Sequence, residues 1–113
     1  MNLEAGTIVW CELDPVVGSE QGGRRPALII SSLDYSAAMS RMTIVVPCTT
    51  RQRQWPNHVP LFGPTGLSNP TFAITEQSRA ISVDRVRKVA GRVDDESLAR
   101  VSRWVHLWQH QAA

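Results

Sequence analysis

Asp14-Pro-Val-Val-Gly-Ser-Glu-Gln-Gly-Gly-Arg-Arg-Pro26 is the stretch on which the reading of this chain turns. Three glycines and two prolines bar it from the interior of a helix or a central strand. It separates two apolar runs of β character. On one side, Thr7-Ile-Val-Trp-Cys-Glu-Leu13 alternates loosely and is rich in β-branched and aromatic residues. On the other, Pro26-Ala-Leu-Ile-Ile-Ser31 is continuously apolar and short enough for a buried strand, with Pro26 at its first position, where a missing N–H is tolerated. The stretch is therefore a long exposed connection between strands, a kind of segment that is usually functional or disordered. It carries Ser19, Glu20, Gln21, Arg24 and Arg25, with glycines that let backbone approach a ligand. By itself it reads equally as a solvated hairpin loop and as an anion-binding loop.

Working outward, the chain predicts more strands and one long helix. Asp34 to Arg41 reads as a turn or a short helical turn. Met42-Thr-Ile-Val-Val-Pro-Cys48 is a third, strongly β-branched strand whose Pro47 points to an edge or a bulge. Thr49-Thr-Arg-Gln-Arg-Gln-Trp-Pro-Asn57 is a second polar loop in which Arg51 and Arg53 flank an aromatic, Trp55. Arginines meet phosphates and an aromatic ring stacks a base, which suits single-stranded nucleic acid. A loop whose Trp55 covers a core edge has the same composition. His58 to Phe62 is a short strand marked as an edge by Pro60, and Gly63 to Pro70 is turn material. Thr71 to Gln77, Ser78 to Ser82 and Arg87 to Val93 complete the strand candidates, with a single turn at Val83 to Val86. Asp94 is a good N-cap for a helix over Asp95 to Gln109, where Leu98, Val101, Val105 and Trp108 recur at helical spacing with Trp104 on the flank. Trp104 and Trp108 read as core anchors.

Composition narrows the function classes. At 113 residues there is room for one domain spanning 1–113. No segment is long and apolar enough to cross a membrane, and the N-terminal residues lack the pattern of a secretory signal, so the expected compartment is the cytoplasm. Cys11 and Cys48 lie in separate apolar runs without zinc-ligand spacing, and are expected as buried reduced thiols. No metal-ligand cluster, Walker loop, Ser-His-Asp arrangement or paired-carboxylate motif can be defended, so no cofactor or metal is expected. The net charge of +2 does not mark a nucleic-acid binder, and every basic residue except Lys88 is arginine. Arginine suits phosphate recognition, but a GC-rich genome enriches it too.

Three motifs together resemble the MazF/PemK toxin family, the small ribosome-independent endoribonucleases of bacterial toxin–antitoxin systems. Gly18-Ser-Glu-Gln-Gly-Gly-Arg-Arg-Pro26, preceded by Asp14-Pro15, is similar to the family signature. Pro47-Cys-Thr-Thr50 resembles its Pro-x-Thr-Ser/Thr, and Glu76-Gln-Ser-Arg-Ala-Ile-Ser82 its Glu-Gln-x-Arg segment. The resemblance covers nearly the whole chain. It implies a mainly β fold of the α+β kind: a compact SH3-like, PemK-type antiparallel barrel with a C-terminal amphipathic helix. It further implies a homodimer that binds single-stranded RNA across its interface, and metal-independent cleavage by the ribose 2′-hydroxyl to a 2′,3′-cyclic phosphate and a 5′-hydroxyl. A cognate MazE-like antitoxin with an acidic tail, able to form a DNA-binding complex with the toxin, is implied as partner.

The family's catalytic pair falls on Arg25 and Thr49, with Glu20 as a base or as the group that orients Arg25. Ser19, Gln21, Arg24, Thr50, Arg51, Arg53, Trp55, Gln77 and Arg79 are the expected RNA-binding residues. Chemistry supports the division of labour. A guanidinium can meet two phosphoryl oxygens and keeps its charge, which makes Arg25 a stabiliser of the transition state and a poor general base. His58 is a second candidate acid or base, weighed against a structural role. The alternative function is a non-catalytic toxin of the same fold that poisons a protein such as DNA gyrase, a mode that uses aromatic and aliphatic residues at the extreme C-terminus. Here the chain ends His110-Gln-Ala-Ala113. A plain RNA-binding module is the third reading.

Overall fold

The structure is a computed structural model that describes residues 2–13 and 24–109. The opening loop's residues 14–23, with Ser19, Glu20 and Gln21, lie outside the described residues, as do His110 to Ala113. Seven strands and two helices follow in the order β1 (Thr7–Cys11), β2 (Arg25–Ile29), α1 (Leu33–Ala38), β3 (Met42–Thr49), β4 (His58–Pro60), β5 (Phe72–Ile74), β6 (Arg79–Ser82), β7 (Val86–Arg92) and α2 (Asp95–Gln109). Two 3-10 turns, Thr75–Gln77 and Val83–Arg85, punctuate the second half. The first of these corrects the expected strand Thr71 to Gln77, which stops at Ile74 and then turns.

The strands form one antiparallel sheet ordered β4-β5-β3-β2-β1-β7, with β6 added beside β3. Among the described residues the barrel stays open, since β4 and β7 end the path. β3 is its spine. One edge takes β2, while the other takes β6 along Met42 to Val45 and then β5 at Cys48 and Thr49. Pro47 sits between those two outer partners, which is where a strand tolerates a missing N–H. Pro60 lies in β4, the outermost strand. Along β1 the register against β7 shifts twice, after Ile8 and after Trp10. Such bulges bend and twist a sheet, which helps it curl.

Both faces of the central strands are buried, which explains their nearly continuous apolar runs. Ile8, Leu28, Val46 and Cys48 face one core with Val59, Ala73, Val101 and Val105, so this face lies beneath α2. The alternate residues Val9, Cys11, Ala27, Ile29 and Val45 face a second core closed by Ile81 and Val86. Burial raises both thiols, Cys11 to about 11 and Cys48 to about 12, and both cysteines are free. Helix α2 starts as the sequence expects: Asp94 Oδ1 accepts from the Ser97 N–H at 2.8 Å. Those hydrogen bonds from Ser97 hold the Asp94 carboxyl below its ordinary range. The tryptophans separate. Trp104 packs against the core, whereas Trp108 is 46% exposed and so is not the buried anchor that its spacing suggested. Its indole N–H instead reaches out of the core to donate to Thr75 Oγ1 at 3.1 Å.

Candidate active site

Arg25 opens β2 and Thr49 ends β3. The β2–β3 register pairs Ala27 with Pro47 and Leu28 with Val46, and continuing it two residues brings Arg25 level with Thr49. Residues 24 positions apart in sequence thus become cross-strand neighbours, each at the end of its own strand. The Thr49 hydroxyl oxygen also accepts from the Arg51 backbone N–H at 3.1 Å, which fixes the first turn of the basic loop.

From this pair a concave surface of about 580 Å³ spreads across the sheet towards β4 and β5, lined by Arg25, Thr49, Arg51, Arg53, Trp55, His58, Ile74, Glu76 and Gln77. Three guanidinium groups therefore share one depression with an aromatic. Trp55 is 49% exposed, with the Arg53 guanidinium 5.2 Å from its ring centroid and the His58 ring tilted against it at 4.9 Å. It is an open platform rather than a lid on the core.

Glu76 occupies the far wall of this depression. Its Oε1 accepts from Asn57 Nδ2 at 2.7 Å, and its Oε2 lies 3.2 Å from Nε2 of the buried His58. Asn57 is held in turn, because its backbone carbonyl accepts from the Thr75 hydroxyl at 2.7 Å, and Thr75 accepts from Trp108. A chain of hydrogen bonds thus runs from the end of α2 to the site's one described carboxylate. His58 is a structural partner of Glu76 here; its Nδ1 is buried without a hydrogen-bond partner among the described residues. Asn57 and His58 were not among the residues that the motifs nominated for binding. Asn57 ends the basic loop and His58 follows it directly, and that position was the available signal.

Of the expected RNA-binding residues, Arg51, Arg53, Trp55 and Gln77 come together in this depression. Thr50 faces the opposite side of the Arg25–Thr49 pair, in a second cavity. Arg24 is exposed just before β2. Arg79 sits on β6 opposite Val45, near enough to Cys11 to favour its thiolate, and is not among the lining residues of either cavity. Among the described residues no three His, Cys, Asp or Glu side chains gather as metal ligands.

Residues 4–108 match the model of the PemK-like, MazF-like toxins of type II toxin-antitoxin systems. The chain belongs to that family. The endoribonuclease EndoA of Bacillus subtilis (strain 168) is 33% identical over 110 residues, covering 95% of this chain and 94% of that protein. The endoribonuclease toxin MazF of Escherichia coli (strain K12) is 34% identical over 79 residues, 70% of this chain and 68% of its own. Among solved structures, MazF from Deinococcus radiodurans superposes with a TM-score of 0.77 at 28% identity, covering 94% of each chain. The toxin family and its fold, a mainly antiparallel sheet with a C-terminal helix, are therefore those that the motifs implied.

Proposed function

We propose that this chain is a sequence-selective endoribonuclease toxin of a toxin–antitoxin system, a single domain over 1–113 that acts on single-stranded mRNA in the cytoplasm as a homodimer. The observation that carries the reading is the meeting of Arg25 and Thr49 at the ends of two adjacent strands, above a depression bearing Arg51, Arg53 and Trp55. The relatives named endoribonuclease support it.

In this mechanism O2′ of the substrate attacks the adjacent phosphorus, the P–O5′ bond breaks, and a 2′,3′-cyclic phosphate and a 5′-hydroxyl result. The O2′ proton must leave and O5′ must gain one. Charge grows meanwhile on the two non-bridging phosphoryl oxygens. Arg25 meets that charge with a planar fork of donors, and Thr49 adds a hydroxyl donor. Glu20 is the proposed base or the group that orients Arg25. Ser19, Gln21 and Arg24 join it from the opening loop, Thr50, Gln77 and Arg79 from the site's flanks. Arg51 and Arg53 hold flanking phosphates while Trp55 stacks a base. None of these steps asks for a metal ion, because Arg25 supplies the positive charge. A MazE-like antitoxin would inhibit by laying an acidic tail over Arg25, Arg51 and Arg53.

The test is incubation of the purified protein with single-stranded RNA in EDTA. Cyclic-phosphate ends are expected, with Arg25→Ala and Thr49→Ala each slowing cleavage by about 10²-fold or more. Cleavage by both variants at the parental rate would remove the site assignment. Binding without any product would leave an RNA-binding module, and inhibition of supercoiling without RNA cleavage would leave a gyrase poison. An acidic antitoxin peptide should compete with RNA; simultaneous binding with undiminished cleavage would refute that placement.

A further inference from the structure

The Arg25–Thr49 pair has a second cavity on its other side, about 350 Å³ in volume, whose lining includes Trp10, Pro26, Cys48, Ser68, Asn69 and Thr71. Its floor continues the sheet face that carries Ile8, Leu28 and Val46: one step further along each strand come Trp10, paired with Pro26, and Cys48. Its wall is the connection from β4 to β5, where Leu67 is half-buried while Ser68 and Asn69 are exposed. Among the described lining residues Arg25 is the one with a charge. The opposite depression gathers three arginines and Glu76. One side of the pair is therefore built for phosphates, and the other for a flat uncharged group with hydrogen-bonding edges.

We propose that this second cavity is a nucleobase subsite: it takes the base on one side of the scissile phosphate, with Asn69 and Ser68 reading the base edge against the Trp10–Pro26 floor. The inference rests on the endoribonuclease reading and adds the element that selects sequence. The wall is rigid enough for the task. Gly66 has φ +73°, and a side chain there would collide with the Ala90 carbonyl; one at Gly91 would collide with Pro64 and Thr65. The loop thus lies directly on β7, where the Arg92 N–H also donates to the Pro64 carbonyl at 3.0 Å. At its far end the Asn69 carbonyl accepts from the Thr71 hydroxyl at 2.9 Å, and the Thr71 carbonyl accepts from the Leu61 N–H at 3.0 Å. Asn69 therefore presents its amide from a held backbone, with ordering cost largely met before RNA arrives. An amide offers a donor and an acceptor side by side, which can pair with adenine, whereas a carboxylate accepts from the cytosine amino group.

The experiment cleaves a randomised single-stranded RNA pool and sequences the new ends for the parent, Asn69→Ala, Ser68→Ala, Asn69→Asp and Trp55→Ala. Asn69→Ala should lower discrimination at one position beside the cut by roughly tenfold, through a loss of about that size at the preferred base and little change at the others. Asn69→Asp should move that position towards cytosine, and Trp55→Ala should disturb a different position. An unchanged profile in Asn69→Ala and Ser68→Ala overturns the subsite, as does a rate loss spread evenly over all sequences. In both cases a cutting parent leaves the endoribonuclease reading standing. A parent that cuts no RNA overturns both.

Discussion

In the proposed mechanism Arg25 acts through its shape as well as its charge. A lysine at this position would keep a cation but present a point charge on a flexible stem in place of a planar fork. Arg25→Lys is therefore expected to cleave at least about tenfold more slowly than the parent, with RNA affinity less affected than the rate, as single-turnover kinetics would resolve. Equal rates would mean that Arg25 serves only as a source of field. Trp55 was open at the sequence level between stacking platform and core cover. Its half-exposed ring under Arg53 favours the platform, because a cover would have buried its face. His58 shows the limit of reading residue types. A histidine beside a basic loop suggests proton transfer, but here its ring is buried and Nε2 faces Glu76. Only the turn at Thr75–Gln77, unexpected from sequence, brings Glu76 back to it.

At the scale of elements, α2 does two jobs. Its Val101 and Val105 face closes the core, and its last turn stabilises the site through Trp108, Thr75 and Asn57. Trp108→Phe keeps an aromatic ring beside Trp104 and removes the donor, so it should cost about 1 kcal/mol in chemical denaturation. It should also weaken the hold on Glu76 without changing the helix content seen by circular dichroism. The other end of α2 titrates. The native Asp94 carboxyl lies below its ordinary pKa because Ser97 hydrogen-bonds its charged form. A depressed native pKa means that the cap contributes fully above the unfolded-state value and is lost as pH falls through the native one. Asp94→Ala should therefore lower Tm near neutral pH, and the gap to the parent should close in acid. A gap independent of pH would assign the loss to packing instead. The helix bounds and its cap were legible in sequence because both are local. The end of β5 was not, since Thr75 and Gln77 are compatible with a strand until Trp108 and Asn57 engage Thr75.

Over the whole molecule, one sheet buried on two faces explains the chemistry of both cysteines. Cys11 lies in one core and Cys48 in the other, and burial pushes their thiols to about 11 and about 12. Neither should react appreciably with a thiol reagent at pH 8 in the native state, and both should react at once in denaturant. Labelling followed by mass spectrometry checks this, and rapid native labelling of Cys48 would indicate that the second cavity opens to its floor. The described helices include none long and apolar enough to span a membrane. By itself, the chain's sequence determined the strand-rich order, the terminal helix, the buried thiols and the three motifs of a toxin family, because periodicity, capping and motif spacing are properties of neighbouring residues. Tertiary structure alone decided that the barrel stays open among the described residues, that Trp108 donates to Thr75 rather than filling the core, and that Glu76 is held by Asn57 and His58. It also decided that Asn69 and Arg53 line separate cavities that share Arg25 and Thr49. These are relations between residues far apart in the chain, set by register and by which strands β3 accepts at its edges. The Asp14 to Pro26 stretch supplied Arg25, and the fold of β2 against β3 brought Thr49 level with it.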